Sequence, residues 1–231
     1  MFSKRLGSVL LCFVFFAAAC GAQNPPPTEP IHQIFTNVPE TIDPDARYLF
    51  YLHGAIIERA GIRPTHPKFG IYEYRKILEV IAEHGLVVIS EARPVGTDGA
   101  VYAAKVVDQV RALLAAGVPS RHITVVGFSK GGGIAITASS ILSEGRLNFV
   151  FMGACGPWLD KRPELVPHGR LLAVREASDD LVGSCEGLFG RAAGDDGDRE
   201  EITLELGGGH GAFYRPRPEW IDPAIEWASI E

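Results

Sequence analysis

Six short apolar-rich runs recur along the chain, at residues 47–52, 86–90, 123–127, 148–154, 171–175 and 202–206, and all but the last lack the polar alternation of a half-solvated strand. A strand that is apolar on both sides has to be covered on both faces, and a parallel sheet flanked by helices does this. Between the runs lie stretches with apolar residues at helical spacing. Residues 72–84 carry Ile77, Leu78, Val80 and Ile81, and residues 99–116 carry Val106, Val107, Val110, Leu113 and Leu114. Residues 131–142 and 221–229 read as two further helices. The pattern predicts a three-layer α/β/α sandwich around a mostly parallel central sheet. A chain of 231 residues suits one such domain, here expected over residues 31–231. In sheets of this type ligands bind beyond the carboxyl ends of the strands, so a reactive side chain should directly follow a strand.

The N-terminus has a different character. Lys4 and Arg5 precede an uncharged apolar run at 9–19. That run falls short of the roughly 20 residues a membrane-spanning helix needs, so residues 1–19 read as a secretory signal. Residues 20–30, proline-rich from 23 onward, read as a tether. Ala17-Ala18-Ala19-Cys20-Gly21 resembles a bacterial lipobox, with Ala17 where Leu is usual. The resemblance implies lipidation of Cys20 and anchoring at a membrane. Plain cleavage after Ala19 or Ala22 would instead release a soluble periplasmic or secreted protein.

Cys12 leaves with the signal, and Cys20 goes either to lipid or to the cleavage region. Cys155 and Cys185 are then left as a pair in an oxidising compartment, where a disulfide is expected. Two cysteines supply too few ligands for a zinc site. The formal net charge is −6, or −8 once a signal bearing Lys4 and Arg5 is removed. With no basic stripe to offset that charge, nucleic acid is excluded as a partner. The charged stretch 194–201 lacks the spacing of a calcium loop and reads as a solvated connection. No feature of the sequence speaks to the oligomeric state.

Gly127-Phe128-Ser129-Lys130-Gly131 is a G-x-S-x-G pattern between an expected strand and an expected helix. A tight strand-to-helix turn of this kind needs small residues on both sides and lifts the serine hydroxyl into the open. A serine at a helix start also serves as an ordinary N-cap, so the partners decide. At this point the chain resembles the α/β-hydrolase family over most of its mature length. The family's triad runs nucleophile, acid, histidine in chain order, which implies Ser129 as the nucleophile. The loop after 171–175 resembles the family's acid loop, and a hydrophobic residue three positions beyond the acid selects Asp179, with Val182 beyond it. Glu176 stands where that loop usually begins with Gly, so Asp180 stays a competitor. Of seven histidines, His53 and His66 precede the serine, and only His210, in the glycine-rich loop 207–211, follows the last strand.

In this reading His210 takes the proton of Ser129, and Asp179 holds the imidazole in its tautomer. The oxyanion hole would consist of the Lys130 N–H and the Ala55 N–H, the latter following Tyr51-Leu52-His53-Gly54. No metal or cofactor is implied. Residues 155–170 are too few for a folded cap domain, so an open site is expected, with the loop 56–70 as one wall and Trp158, Phe128 and Phe213 as apolar lining. Arg93 either contacts a polar substrate or sits in a loop salt bridge, and the Lys130 ammonium is expected to pair with a local carboxylate. A Cys155–Cys185 bridge would brace the acid loop. The leading expectation is hydrolysis of a small-molecule carboxylic ester through an acyl-enzyme. Peptidases and thioesterases use the same triad, and lipase is least favoured. An exported binding protein that keeps the fold without turnover is the other class.

Overall fold

The computed structural model describes residues 1–2, 33–192 and 198–230. The apolar run 9–19, Cys20 and the tether to residue 30 lie outside the described residues. In chain order the strands are β1 (Ile34–Phe35), β2 (Tyr48–Leu52), β3 (Thr65–His66), β4 (Gly70–Ile71), β5 (Val87–Ile89), β6 (Ile123–Phe128), β7 (Asn148–Met152), β8 (Arg170–Glu176) and β9 (Arg199–Leu204). The helices are α1 (Ala55–Ala60), α2 (Tyr74–Glu83), α3 (Gly99–Ala115), α4 (Lys130–Leu142), α5 (Glu186–Phe189) and α6 (Pro218–Ser229).

Seven strands form one sheet in the order β1-β5-β2-β6-β7-β8-β9, and every neighbouring pair in it is parallel. β3 and β4 make a separate antiparallel ribbon. Residues of β2, β6 and β7 are buried along their whole length, because each strand feeds two cores at once. Tyr48, Phe50 and Leu52 pack on one face with Val106, Val110 and Ile134 of α3 and α4. Leu49 and Tyr51 pack on the other with Ile77, Ile81, Trp220 and Trp227 of α2 and α6. The expected three layers are present, and the alternation that the apolar runs lacked in sequence exists as alternation between two dry faces.

Helix boundaries follow local chemistry. α2 buries Tyr74, Ile77, Leu78, Ile81 and Ala82, a stripe at helical spacing, and stops before Gly85, whose φ is 80°. α3 is capped by Asp98, whose carboxylate accepts hydrogen bonds from the N–H groups of Ala100 and Val101. α6 begins at Pro218, three residues before the expected start, because proline fits the first helical turn. β9 also begins early, at Arg199, so the end of the stretch 194–201 is strand, while residues 194–197 lie outside the described residues. Glu201 pairs with Arg175 at 3.3 Å and accepts from the Cys185 N–H. Leu52 of β2 lies beside Gly127 of β6, which sets the loop after β2 against the turn after β6.

Candidate active site

Ser129 sits between β6 and α4 with φ 55° and ψ −117°, a conformation an L-residue holds at a cost of about 1–3 kcal/mol. The surroundings enforce it. The Ser129 N–H donates to Met152 O at 2.9 Å, and its carbonyl accepts from the Gly133 N–H at 3.0 Å. A Cβ at Gly131 would lie 1.9 Å from Leu52 O, and one at Gly127 would lie 2.3 Å from Gly131 O. The turn therefore closes only with glycine at both positions. The Ser129 side chain makes no capping bond to α4, so the hydroxyl is not used as an N-cap.

That hydroxyl lies 2.8 Å from His210 Nε2, and His210 Nδ1 lies 2.6 Å from Asp179 Oδ2. With Nδ1–H donating to the carboxylate, Nε2 is left to accept from Ser129. His210 belongs to a 3-10 turn, Gly209–Tyr214, and is 7% exposed. Asp179 is 9% exposed, and its second oxygen accepts from the Leu181 N–H. The neighbouring Asp180 is an exposed partner of Lys68 at 3.3 Å. The three residues come from the ends of β6, β8 and β9, on the carboxyl edge of the sheet.

Ala55 and Lys130 are the first residues of α1 and α4, positions whose N–H groups have no partner within their helix. The loop before Ala55 abuts the nucleophile turn: a Cβ on Gly54 would lie 3.6 Å from Ser129 Cβ. Behind it is a buried polar cluster. The Arg93 guanidinium, fully buried, donates to Glu58 Oε1 at 2.9 Å and to the His53 carbonyl. Lys130 Nζ donates to Glu58 Oε2 at 2.6 Å and to Thr97 O at 2.6 Å. Burial works to raise the pKa of Glu58, but the hydrogen bonds from Lys130 and Arg93 outweigh it and hold the carboxyl below its usual range. Arg93 thus takes the salt-bridge role rather than contact with substrate, and the Lys130 ammonium takes its local carboxylate.

His53 is fully buried in this cluster. Arg93 N–H donates to its Nε2 at 2.9 Å, so Nδ1 carries the proton and donates to Gly54 O at 2.9 Å. Burial, then the nearby Arg93 charge, push its pKa down to about 4. An unfolded histidine binds a proton near pH 6.5, so this group stabilises the fold fully above that pH and less as pH falls toward 4. Between pH 6.5 and 4.5 the loss should be about 2–3 kcal/mol, a window above the range where Glu58 protonates. Urea denaturation at the two pH values measures it. His53→Gln should flatten the difference, and an unchanged slope would assign it elsewhere.

A cleft of about 480 Å3 opens beside Ser129, with Ala100, Ile134, Ala154, Trp158 and Val182 among its walls. Trp158 lines it as expected. Phe128 and Phe213 do not: both are buried core residues, and Phe128 packs its ring 4.8 Å from that of His210. Nor does the loop 56–70 form a wall of this cleft. It contains α1 and the β3–β4 ribbon, and its Phe69 presses on the histidine loop, where a Cβ on Gly211 would come within 2.4 Å of Phe69 Cβ.

No protein-family model matches the chain, and no curated protein does. Solved structures do. A dienelactone hydrolase from Anabaena variabilis superposes with a TM-score of 0.51 at 19% identity, covering 83% of this chain and 93% of that one. A truncated carbohydrate esterase from gut microbiota gives 0.51 at 13% identity over 84% and 90% of the two chains. Esterase PE8 gives 0.50 at 13% identity over 82% and 96%. The fold is that of the α/β hydrolases. As in the expectation from sequence, the chain has no large cap: the connection 153–169 carries only a 3-10 turn, Pro157–Lys161.

One residue near the site was not anticipated as part of it. Glu176 ends β8 and is 2% exposed. Its Oε2 accepts from the Ser178 hydroxyl and N–H, and its Oε1 from the N–H groups of Leu206 and Gly207. Burial works to raise its pKa, and these four bonds hold it low instead. The carboxylate thereby joins the Asp179 loop to the His210 loop, and Ser178 Oγ continues the link to the Gly209 N–H at 3.1 Å. A charge closing an apolar strand was the available signal, since a buried carboxylate requires partners.

Cys155 and Cys185 are disulfide-bonded across a separation of 30 residues. The Gly183 N–H donates to Cys155 O at 2.8 Å, so the bridge closes the segment that carries Asp179 and Val182. Closing a loop of this length stabilises by about 3–4 kcal/mol in the chain-entropy description. Reduction with dithiothreitol should therefore lower the thermal midpoint by several degrees. Equal midpoints in both redox states would show that the bridge does not brace the domain.

Proposed function

We propose that this protein is a serine hydrolase that cleaves small-molecule carboxylic esters through an acyl-enzyme. The carrying observation is the unbroken chain of hydrogen bonds from Ser129 Oγ through His210 to Asp179, 2.8 and 2.6 Å long. A serine hydroxyl is a weak nucleophile at neutral pH and needs such a base. Oγ attacks the ester carbonyl as its proton passes to His210 Nε2, and the carbonyl oxygen becomes an anion. The Ala55 and Lys130 N–H groups receive that anion; one such donor is typically worth about 3 kcal/mol of barrier. On collapse the C–O bond to the leaving group breaks, and His210 returns the proton to the departing oxygen. Water then repeats the cycle on the acyl-serine, releasing the acid and restoring Oγ–H. Asp179 stabilises the imidazolium throughout without taking the proton.

Amides and thioesters would follow the same steps. The ester reading is favoured by the open site without a cap and by the esterase structures that share the fold. The Cys155–Cys185 bond, together with the signal-like residues 1–19, supports export to an oxidising compartment. A fluorophosphonate reagent tests the proposal. It should label Ser129 stoichiometrically and abolish hydrolysis of p-nitrophenyl esters, while a protein left unlabelled at Ser129 would be a binding protein on the same fold.

A further inference from the structure

The ladder between β8 and β9 ends at the pair Glu176–Leu204, where the Ala177 N–H still donates to Leu204 O at 2.8 Å. Beyond that pair the chain leaves the sheet on both sides, into the loops that carry Asp179 and His210. Backbone donors there have lost their strand partners and need other acceptors. The Glu176 side chain supplies them. Its Oε1 takes the N–H groups of Leu206 and Gly207 at 3.0 and 2.9 Å, and its Oε2 takes the Ser178 N–H at 2.8 Å and hydroxyl at 2.5 Å. The Ser178 hydroxyl, its proton committed to Glu176, accepts in turn from the Gly209 N–H at 3.1 Å.

The sequence positions of these partners matter. Ser178 directly precedes Asp179, and Gly209 directly precedes His210. The Asp179 N–H itself donates to the Glu176 carbonyl at 3.0 Å. One residue thus holds the backbone next to the acid and, through one hydroxyl, the backbone next to the base. Its carboxylate is buried and all four of its donors are uncharged, a costly arrangement for closing a turn.

We propose that Glu176 is a positioning residue for the reaction: by tying the two loops together it fixes the approach of the Asp179 carboxylate to the His210 imidazole, and with it the direction in which Nε2 faces Ser129. This rests on the serine-hydrolase reading above and adds a residue that touches none of the reacting atoms.

Glutamine is the near-isosteric probe. Its one carbonyl oxygen can serve one loop, and its amide NH2 then meets the N–H groups of the other. Glu176→Gln should lower kcat for p-nitrophenyl acetate by about 100-fold, the scale of a 1 Å misplacement. KM should stay within about threefold, because Glu176 does not line the cleft. The deciding measurement repeats the substitution in an Asp179→Asn background, where the imidazole is already misset. There it should cost no more than about threefold. A residue that only stabilised the domain would cost the same factor in both backgrounds. Circular dichroism fixes a temperature at which all four proteins are folded. Should Glu176→Gln not fold, Ser178→Ala takes its place, since Ser178 is exposed and its loss removes only the link to Gly209. It should lower kcat by about 5–10-fold, again only with Asp179 present. Equal losses in the two backgrounds, or a kcat for the substituted protein within twofold of wild type, would overturn the proposal. Fluorophosphonate labelling keeps the two ideas apart. A labelled Ser129 with equal losses sinks only this inference, whereas an unlabelled wild-type protein sinks the hydrolase reading with it.

Discussion

Replacing Ser129 with alanine is expected to lower kcat/KM for p-nitrophenyl esters by about 10^6-fold, the scale seen when a triad nucleophile is removed. The loss is this large because, among the described residues, Ser129 is the one nucleophile hydrogen-bonded to His210. Fluorophosphonate labelling should vanish with it. The unfolding midpoint should barely move, since the side chain makes no capping bond and the unusual φ of 55° is enforced by the backbone around it. Turnover within tenfold of wild type would place the chemistry on another residue.

Asp179→Asn is expected to cost about 10^4-fold in kcat. Asparagine fills the same space and still offers an oxygen to the Leu181 N–H, but its amide no longer favours a proton on His210 Nδ1. The imidazole then presents the wrong nitrogen to Ser129. Asp180→Asn removes only an exposed pairing with Lys68, worth about 0–1 kcal/mol, and should leave kcat within a few-fold of wild type. The paired measurement distinguishes the acid that the loop pattern selects from its adjacent competitor, and the reverse result would reassign the acid.

Much of this architecture was legible before any coordinates. The runs at 47–52 and 123–127 announce buried strands because, Arg47 aside, every residue in them is hydrophobic or small, and α2 announces itself through the spacing of Ile77, Leu78 and Ile81. Ser129, Asp179 and His210 were found through the family resemblance, and their placement after three strands agrees with one rule about parallel sheets. What was hidden depends on partners distant in sequence. β1 is two residues long and owes its existence to β5, so no local signal marks it. Phe128 and Phe213 carry the same aromatic character whether they line a cleft or fill a core; which of these they do was decided by α6 and the histidine loop. Glu176 showed its charge but not the four donors, two of them about 30 residues downstream, that make a buried carboxylate tolerable.

The Lys130 ammonium is shared between Glu58 and the carbonyl of Thr97, and Thr97 belongs to a surface loop whose Val95 is 73% exposed. That loop is therefore tied to Lys130 by a hydrogen bond. A shift in its path pulls on Lys130, whose own peptide N–H is one of the two donors assigned to the reaction, and through Glu58 on the helix that supplies the other. Under the proposed mechanism, sequence drift in a solvent-facing segment that never meets the ester would retune catalysis, and surveys restricted to cleft-lining positions would overlook where such tuning originates.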